Sequence, residues 1–348
     1  MDSLLSTASA GKLFTVIGVP IVGFLVFSVF SSMFWSKPKW QPAGKQCVVT
    51  GGSSGLGLAF ATLLVKKGAH VAIIARDKKK LATALEKLEA ARVHPDQKIT
   101  SHSYSLTSLA GSTSALESAA EAHGGRAPDA LFTCAGTAKP GYFLTMDENA
   151  MTEGMANSYW IQAFPALAAT KMMVKQGVRG RVVFVGSTLG YMSFIGYSTY
   201  SPGKHALVGL TETLRSELAL YDIDIQLFVP CTMYSEGYEN ENKTKPAITL
   251  NIEETDEGLT PEQAAVHMFK GIQKGHAHFS ADLITEFFRV STRGSAPNQN
   301  VFKDFLIYLI AWPGVPIWRY STERAVQRGK AAHIADMQAK GLVPESSK

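Results

Sequence analysis

Between residues 45 and 280 the hydrophobic pattern alternates between two rhythms. Short runs rich in β-branched residues, at 47–50, 71–75, 99–104, 130–133, 182–185, 225–229 and 278–280, have the length and composition of strands. The stretches between them, at 56–67, 78–92, 108–123, 149–176, 202–220 and 261–275, repeat apolar residues at helical spacing. Such alternation predicts a doubly wound α/β domain on a parallel sheet, with ligands bound at the carboxyl ends of the strands.

The two ends follow a different pattern. After a short tail, residues 1–12, the uncharged apolar run 13–34 is long enough for a helix to cross a hydrocarbon core of about 30 Å. It exceeds the apolar core of a cleaved signal and ends in Met33, Phe34 and Trp35, so it predicts an uncleaved transmembrane anchor. Lys37, Lys39 and Lys45 follow it, whereas only Asp2 and Lys12 carry side-chain charge before it, which places the rest of the chain in the cytoplasm. Residues 281–348 form a second membrane-associated segment and tail. Here Lys303, Asp304 and the Trp312-Pro313-Gly314 break predict an interfacial or surface-packed segment, too interrupted to span as one helix.

Composition narrows the classes of function. A hydrophobic content of 46% over 348 residues supports a sizeable core, and a net charge of +5 without a basic stripe argues against nucleic acid as partner. Cys47, Cys134 and Cys231 are odd in number and widely spaced, which indicates neither a disulfide framework nor a metal site and fits a reducing compartment. A homo-oligomer is a possible assembly that the sequence does not fix.

Candidate chemistry begins where the first strand meets Thr50-Gly51-Gly52-Ser53-Ser54-Gly55-Leu56-Gly57 and a helix. Glycines let the backbone turn sharply and approach a pyrophosphate, and the helix N-terminus offers free N–H groups. Arg76 follows the second strand, where an acid would select NAD and an arginine accommodates a 2′-phosphate, so NADPH is the expected cofactor. Asp77 reads as the cap of the next helix, and Lys80 either joins Arg76 at the phosphate or lies on a solvated helix face. Further along, Tyr200 and Lys204 share a helix face thirteen residues after Ser187. An ammonium beside the phenol is expected to favour the phenolate and lower the tyrosine pKa from about 10, letting Tyr200 protonate a carbonyl near neutral pH.

These elements, with Cys134-Ala135-Gly136 after the fourth strand and Asn157, occur in the order seen in the short-chain dehydrogenase/reductase superfamily, which the chain resembles over residues 45–280. The resemblance implies that Tyr200 is the general acid, Lys204 its activator and a ribose ligand, Ser187 the donor orienting the carbonyl, and Asn157 the anchor of a proton-relay water. It also implies cofactor contacts from Gly51, Ser53, Ser54, Gly55, Gly57, Arg76, Lys80, Ser105, Gly136, Tyr200, Lys204 and Ser235. Three positions depart from the usual pattern: Cys134 replaces an asparagine, Cys231 a glycine, and Ser105 an aspartate that meets the adenine.

A substrate lid is expected at about 233–258. Within it, Gly237-Tyr238-Glu239-Asn240-Glu241-Asn242-Lys243-Thr244-Lys245-Pro246 resembles the family of 3-ketodihydrosphingosine reductases. That resemblance implies NADPH-dependent reduction of a long-chain sphingoid ketone, 3-ketosphinganine, at the cytosolic face of the endoplasmic reticulum membrane. Glu236, Glu239 and Glu241 are candidates to meet the substrate's ammonium group. Two alternatives stay open at this level: another membrane-anchored reductase acting on a steroid or retinoid, and a non-catalytic NADPH-binding scaffold.

Overall fold

The computed structural model of the protein describes residues 39–254 and 257–344, so the anchor expected at 13–34 lies outside the described residues. Seven strands form one parallel sheet in the order β3-β2-β1-β4-β5-β6-β7. They are β1 (Gln46–Thr50), β2 (His70–Ala75), β3 (Ile99–Ser103), β4 (Ala130–Thr133), β5 (Arg181–Val185), β6 (Asp224–Val229) and β7 (His278–Ser280). Each matches an expected strand to within one residue at either end. The crossovers are α1 (Gly55–Lys66), α2 (Lys78–Ala90), α3 (Leu109–Glu121), the paired α4 (Glu148–Met155) and α5 (Ile161–Gln176), then α6 (Ser201–Ala219). After β6 come two short helices, α7 (Glu236–Asn242) and α8 (Ala247–Glu253), followed by α9 (Pro261–Lys274).

Alternation along each strand builds a core on both faces of the sheet. Val49, Ile73, Phe132, Val183 and Phe228 meet Phe60 and Leu64 of α1 and Met268 and Ile272 of α9. Their neighbours Val48, Ile74, Leu131, Phe184 and Leu227 meet Leu116 of α3, Met173 of α5 and Leu207 of α6. A sheet covered twice explains why its strands read as apolar with little polar alternation.

Helix starts follow local chemistry. The Asp77 carboxylate accepts from the backbone N–H groups of Lys79 and Lys80, as expected of a cap, and Thr260 with Gln263 closes a reciprocal capping box at α9. The single helix expected at 149–176 is instead interrupted by a π turn at Ala156–Trp160, and Asn157 lies in that turn.

The C-terminal expectation of a break needs correction. After α10 (Leu283–Thr292), one helix, α11 (Val301–Ala339), runs continuously for 39 residues with Pro313 and Pro316 inside it. Arg289 of α10, almost fully buried, pins its first turn by bonding Asp304 at 2.7 Å and Glu286 at 2.8 Å. Ile307, Ala311, Thr322 and Met337 face inward along its length, so packing against the domain holds together a helix that its prolines weaken. The other face exposes Phe302, Phe305, Leu306, Leu309, Ile310, Trp312 and Ile317. By length and composition the helix is apolar enough to cross a membrane, with an 18-residue window of mean hydropathy 1.3.

Candidate active site

The loop between β1 and α1 is set by close backbone packing. A Cβ on Gly57 would stand 2.3 Å from the carbonyl oxygen of Gly51, and one on Gly51 would meet the Ala135 backbone at 2.8 Å. Only hydrogen fits at either position, and the loop is clamped between β1 and the end of β4, where the Ala135 N–H donates to Thr50 Oγ1. Ser54 caps α1 without a side-chain hydrogen bond, leaving the first-turn N–H groups without that acceptor. Such a cradle fits the phosphates of a dinucleotide.

A cleft of about 880 Å³ opens beside it, lined by Ser53, Ser54, Gly55, Lys79 and Lys80. Arg76 is exposed at the end of β2, and Ser105, also exposed, contacts Thr107 at 3.1 Å. Lys80 is engaged: its Nζ lies 2.5 Å from Glu236 of α7, bridging the mouth of the cleft.

Tyr200, Lys204, Ser187 and Asn157 come from three elements past the ends of β4 and β5, and Asn157 and Tyr200 line one cleft. Tyr200 is the N-cap of α6 and Lys204 lies in its first turn, which also accommodates Pro202 where no helical N–H bond is lost. Gly203 lets α6 approach the π turn, since a Cβ there would sit 2.0 Å from Ser158 Oγ. Asn157 is thereby held beside Gly136, its carbonyl accepting from the Thr137 N–H at 3.3 Å. Ser187 caps a 3-10 turn after β5 and hydrogen-bonds with Tyr200. Lys204 Nζ lies 5.4 Å from the Tyr200 ring centre and donates to the Val185 carbonyl at 2.9 Å.

Electrostatics here differ from the expectation. Burial, reinforced by the Glu241 carboxylate, pushes the Tyr200 phenol well above its ordinary value, and the hydrogen bond with Ser187 only partly opposes this. The Lys204 amine does not offset this, and burial pushes it down to about 7. Removal from water dominates both groups. Burial likewise pushes the Cys134 thiol up to about 12, so it behaves as a small apolar side chain.

Residues after β6 close the other side. Ser235 caps α7, accepting from the Tyr238 N–H at 3.3 Å, and lies next to Gly55 of the glycine loop. Of the three acids in this segment, Glu236 pairs with Lys80, Glu239 is exposed, and Glu241 joins Lys245 and Tyr197. Several groups framing the site carried no individual signal in the sequence. Gln162 is one, bonding the ends of β4 and β5 through Thr133 and Val185, and Tyr197 and Glu253 are two more. Lys245 belonged to the lid pattern, but nothing in the pattern marked it as buried. Among the described residues no group of three His, Cys, Asp or Glu is arranged to hold a metal.

Comparison with known proteins identifies relatives of the chain. The model of the short chain dehydrogenase family matches residues 45–246. A 3-ketodihydrosphingosine reductase of Cryptococcus neoformans is 41% identical over 319 residues, covering 91% of this chain and 95% of that protein. A 3-dehydrosphinganine reductase of Danio rerio is 33% identical, covering 75% and 78%. Among solved structures, a short chain dehydrogenase/reductase of Burkholderia phymatum in complex with NAD superposes with a TM-score of 0.64 at 21% identity, over 72% of this chain and 94% of that one. One from Sphingobium yanoikuyae in complex with NADPH gives 0.58 at 21% identity, over 67% and 86%. These two likenesses carry the fold alone.

Proposed function

The chain belongs to the short-chain dehydrogenases and, among them, to the 3-ketodihydrosphingosine reductases, and from that membership we propose that it reduces 3-ketosphinganine to sphinganine with NADPH. It is an NAD(P)H-dependent oxidoreductase, and the observation carrying the reading is the convergence of Tyr200, Ser187, Lys204 and Asn157 beside the glycine cradle.

Gly51, Ser53, Ser54, Gly55 and Gly57 would hold the cofactor's phosphates, Arg76 its 2′-phosphate, joined by Lys80 once it leaves Glu236, Ser105 its adenine end, and Gly136, Lys204 and Ser235 its nicotinamide end. When bound, the cofactor supplies the hydride. The chain's own residues do the rest. Ser187 donates to the ketone oxygen and fixes it at the Tyr200 hydroxyl, and Tyr200 gives up its proton as negative charge develops there. A phenol raised by burial keeps that proton at neutral pH, which suits an acid in the direction of reduction. Asn157, in the π turn, anchors the water that returns a proton toward Lys204 and Tyr200.

The lid is the segment carrying α7 and α8. Rings lead outward from the acid, with Tyr200 and Tyr197 centred 6.2 Å apart and Tyr197 and Phe194 5.4 Å apart. They reach a groove of about 470 Å³ against α11, where Phe194, Ile195, Tyr320 and Val326 offer an apolar side to an alkyl tail and Arg319, Glu323, Arg324 and Gln327 a polar one. Each buried methylene contributes about 0.8 kcal/mol.

The N-terminal span anchors the enzyme, and α11 lies on the endoplasmic reticulum membrane with its outward apolar face in lipid. Inward packing along its length supports lying on the bilayer over crossing it. The catalytic domain faces the cytosol, as the lysines after the span imply. Membranes containing the full chain should oxidise NADPH upon addition of 3-ketosphinganine and yield sphinganine. Efficient reduction of a steroid or retinoid ketone with 3-ketosphinganine untouched would transfer the assignment to another membrane reductase.

A further inference from the structure

The lid encloses a cation that two carboxylates share. Lys245, in the turn between α7 and α8, has a side chain only 1% exposed, and its Nζ lies 2.5 Å from Glu253 and 3.3 Å from Glu241. The Tyr197 hydroxyl lies 2.7 Å from Glu241 and 2.6 Å from Glu253, with one proton to share between the two carboxylates, and the Tyr238 ring lies 4.4 Å from the ammonium. Two carboxylates therefore share one ammonium and one hydroxyl proton in a part-buried cluster, and with both ionised one of them lacks a cation of its own. Such a charge is costly unless a second cation reaches it.

The two carboxylates are not equivalent. Glu253 makes the shorter contact and is 11% exposed at its side chain, whereas Glu241 is 20% exposed and more loosely held. Glu241 is also on the side of the reacting centre. It binds Tyr197, whose ring neighbours that of Tyr200, and its charge reaches the Tyr200 phenol. Among the described residues nearby, Lys243 is exposed and donates to Asn240, Lys204 donates to the Val185 carbonyl, and the exposed Lys139 lines the cleft that also holds Tyr200 and Thr244.

We propose that Glu241 is a specificity-determining residue that receives the substrate's ammonium group. The inference rests on the sphingoid-ketone reading, because in 3-ketosphinganine the amine is borne by the carbon next to the carbonyl. A ketone oxygen held at Tyr200 thus fixes the ammonium a few ångström away, within the field of Glu241. An amino ketone neutralises the cluster, and a neutral ketone leaves Glu241 unmatched, so the same residue selects for the sphingoid base and against steroid and retinoid ketones.

The test compares kcat/KM for 3-ketosphinganine with that for the same long-chain 1-hydroxy-3-ketone lacking the amine, using the full chain in membranes with NADPH. The parent should prefer the amino ketone by about tenfold or more, a preference that Glu241→Gln abolishes mainly through KM and Glu241→Asp partly restores. Rates are referred to nucleotide-binding protein, since Glu241 also braces Lys245, and the parent's own preference decides the matter if the glutamine variant does not fold. Equal treatment of the two ketones by the parent, or an undiminished preference in Glu241→Gln, overturns the subsite and leaves the 3-ketosphinganine assignment standing. A parent that reduces neither ketone overturns that assignment and the subsite with it.

Discussion

Lys204 Nζ and Gln162 Nε2 donate to the same acceptor, the Val185 carbonyl at the end of β5, at 2.9 Å and 2.8 Å. Gln162 also accepts from Thr133 Oγ1 at 2.8 Å and from the Val185 N–H at 3.1 Å, so one buried amide joins the ends of β4 and β5 to the lysine of the site.

Gln162→Leu leaves these groups without their partner. The variant should lose about 2–4 kcal/mol in denaturant unfolding, and kcat per folded molecule should fall as Lys204 loses a fixed anchor. Parent-like kcat in correctly folded Gln162→Leu would show that the lysine needs no such support.

Lys204 also makes stability depend on pH. Its folded pKa, about 7, lies below its ordinary value of 10.5, so between those values the unfolded chain holds a proton that the folded chain has released. Stability from this group therefore rises with pH across that window, by at most about 1.4 kcal/mol per unit, and is flat below it. Relative to Lys204→Met, the parent should gain stability between pH 7 and 9. Parallel stability profiles for the two proteins would mean that the buried amine keeps its proton.

Arg76 stands exposed at the end of β2, where the proposed 2′-phosphate contact lies. Arg76→Asp should shift the ratio of kcat/KM for NADPH over NADH by on the order of 100-fold toward NADH, as attraction becomes repulsion. An unchanged ratio removes Arg76 from the cofactor site.

The strands were legible because burial on both sheet faces leaves a strong apolar signal at 47–50 or 225–229, and the glycine loop was legible because its backbone contacts admit no side chain. Asp77 could be read as a cap because capping is local. The π turn at Ala156–Trp160 was not, since its registry depends on α6 pressing against it through Gly203. Continuity of α11 through Pro313 and Pro316 likewise comes from tertiary contacts such as Arg289 with Asp304, which no helical rule anticipates. The Tyr200–Lys204 spacing was correct in geometry, but its electrostatics depend on burial, and burial depends on the whole fold. Lys245 was visible as a letter in a pattern, while its enclosure by Glu241, Glu253 and Tyr197 joins residues from three separate segments.

In the proposed reaction Tyr200 delivers the proton that completes ketone reduction. The most direct measurement is single-turnover reduction of 3-ketosphinganine by Tyr200→Phe, with NADPH affinity determined on the same preparation. The hydroxyl acts on charge that develops in the transition state, so turnover should fall by at least about 10²–10⁴-fold while NADPH affinity stays close to the parent's. Near-parent turnover in a variant that binds NADPH normally would contradict the account and remove Tyr200 as the acid.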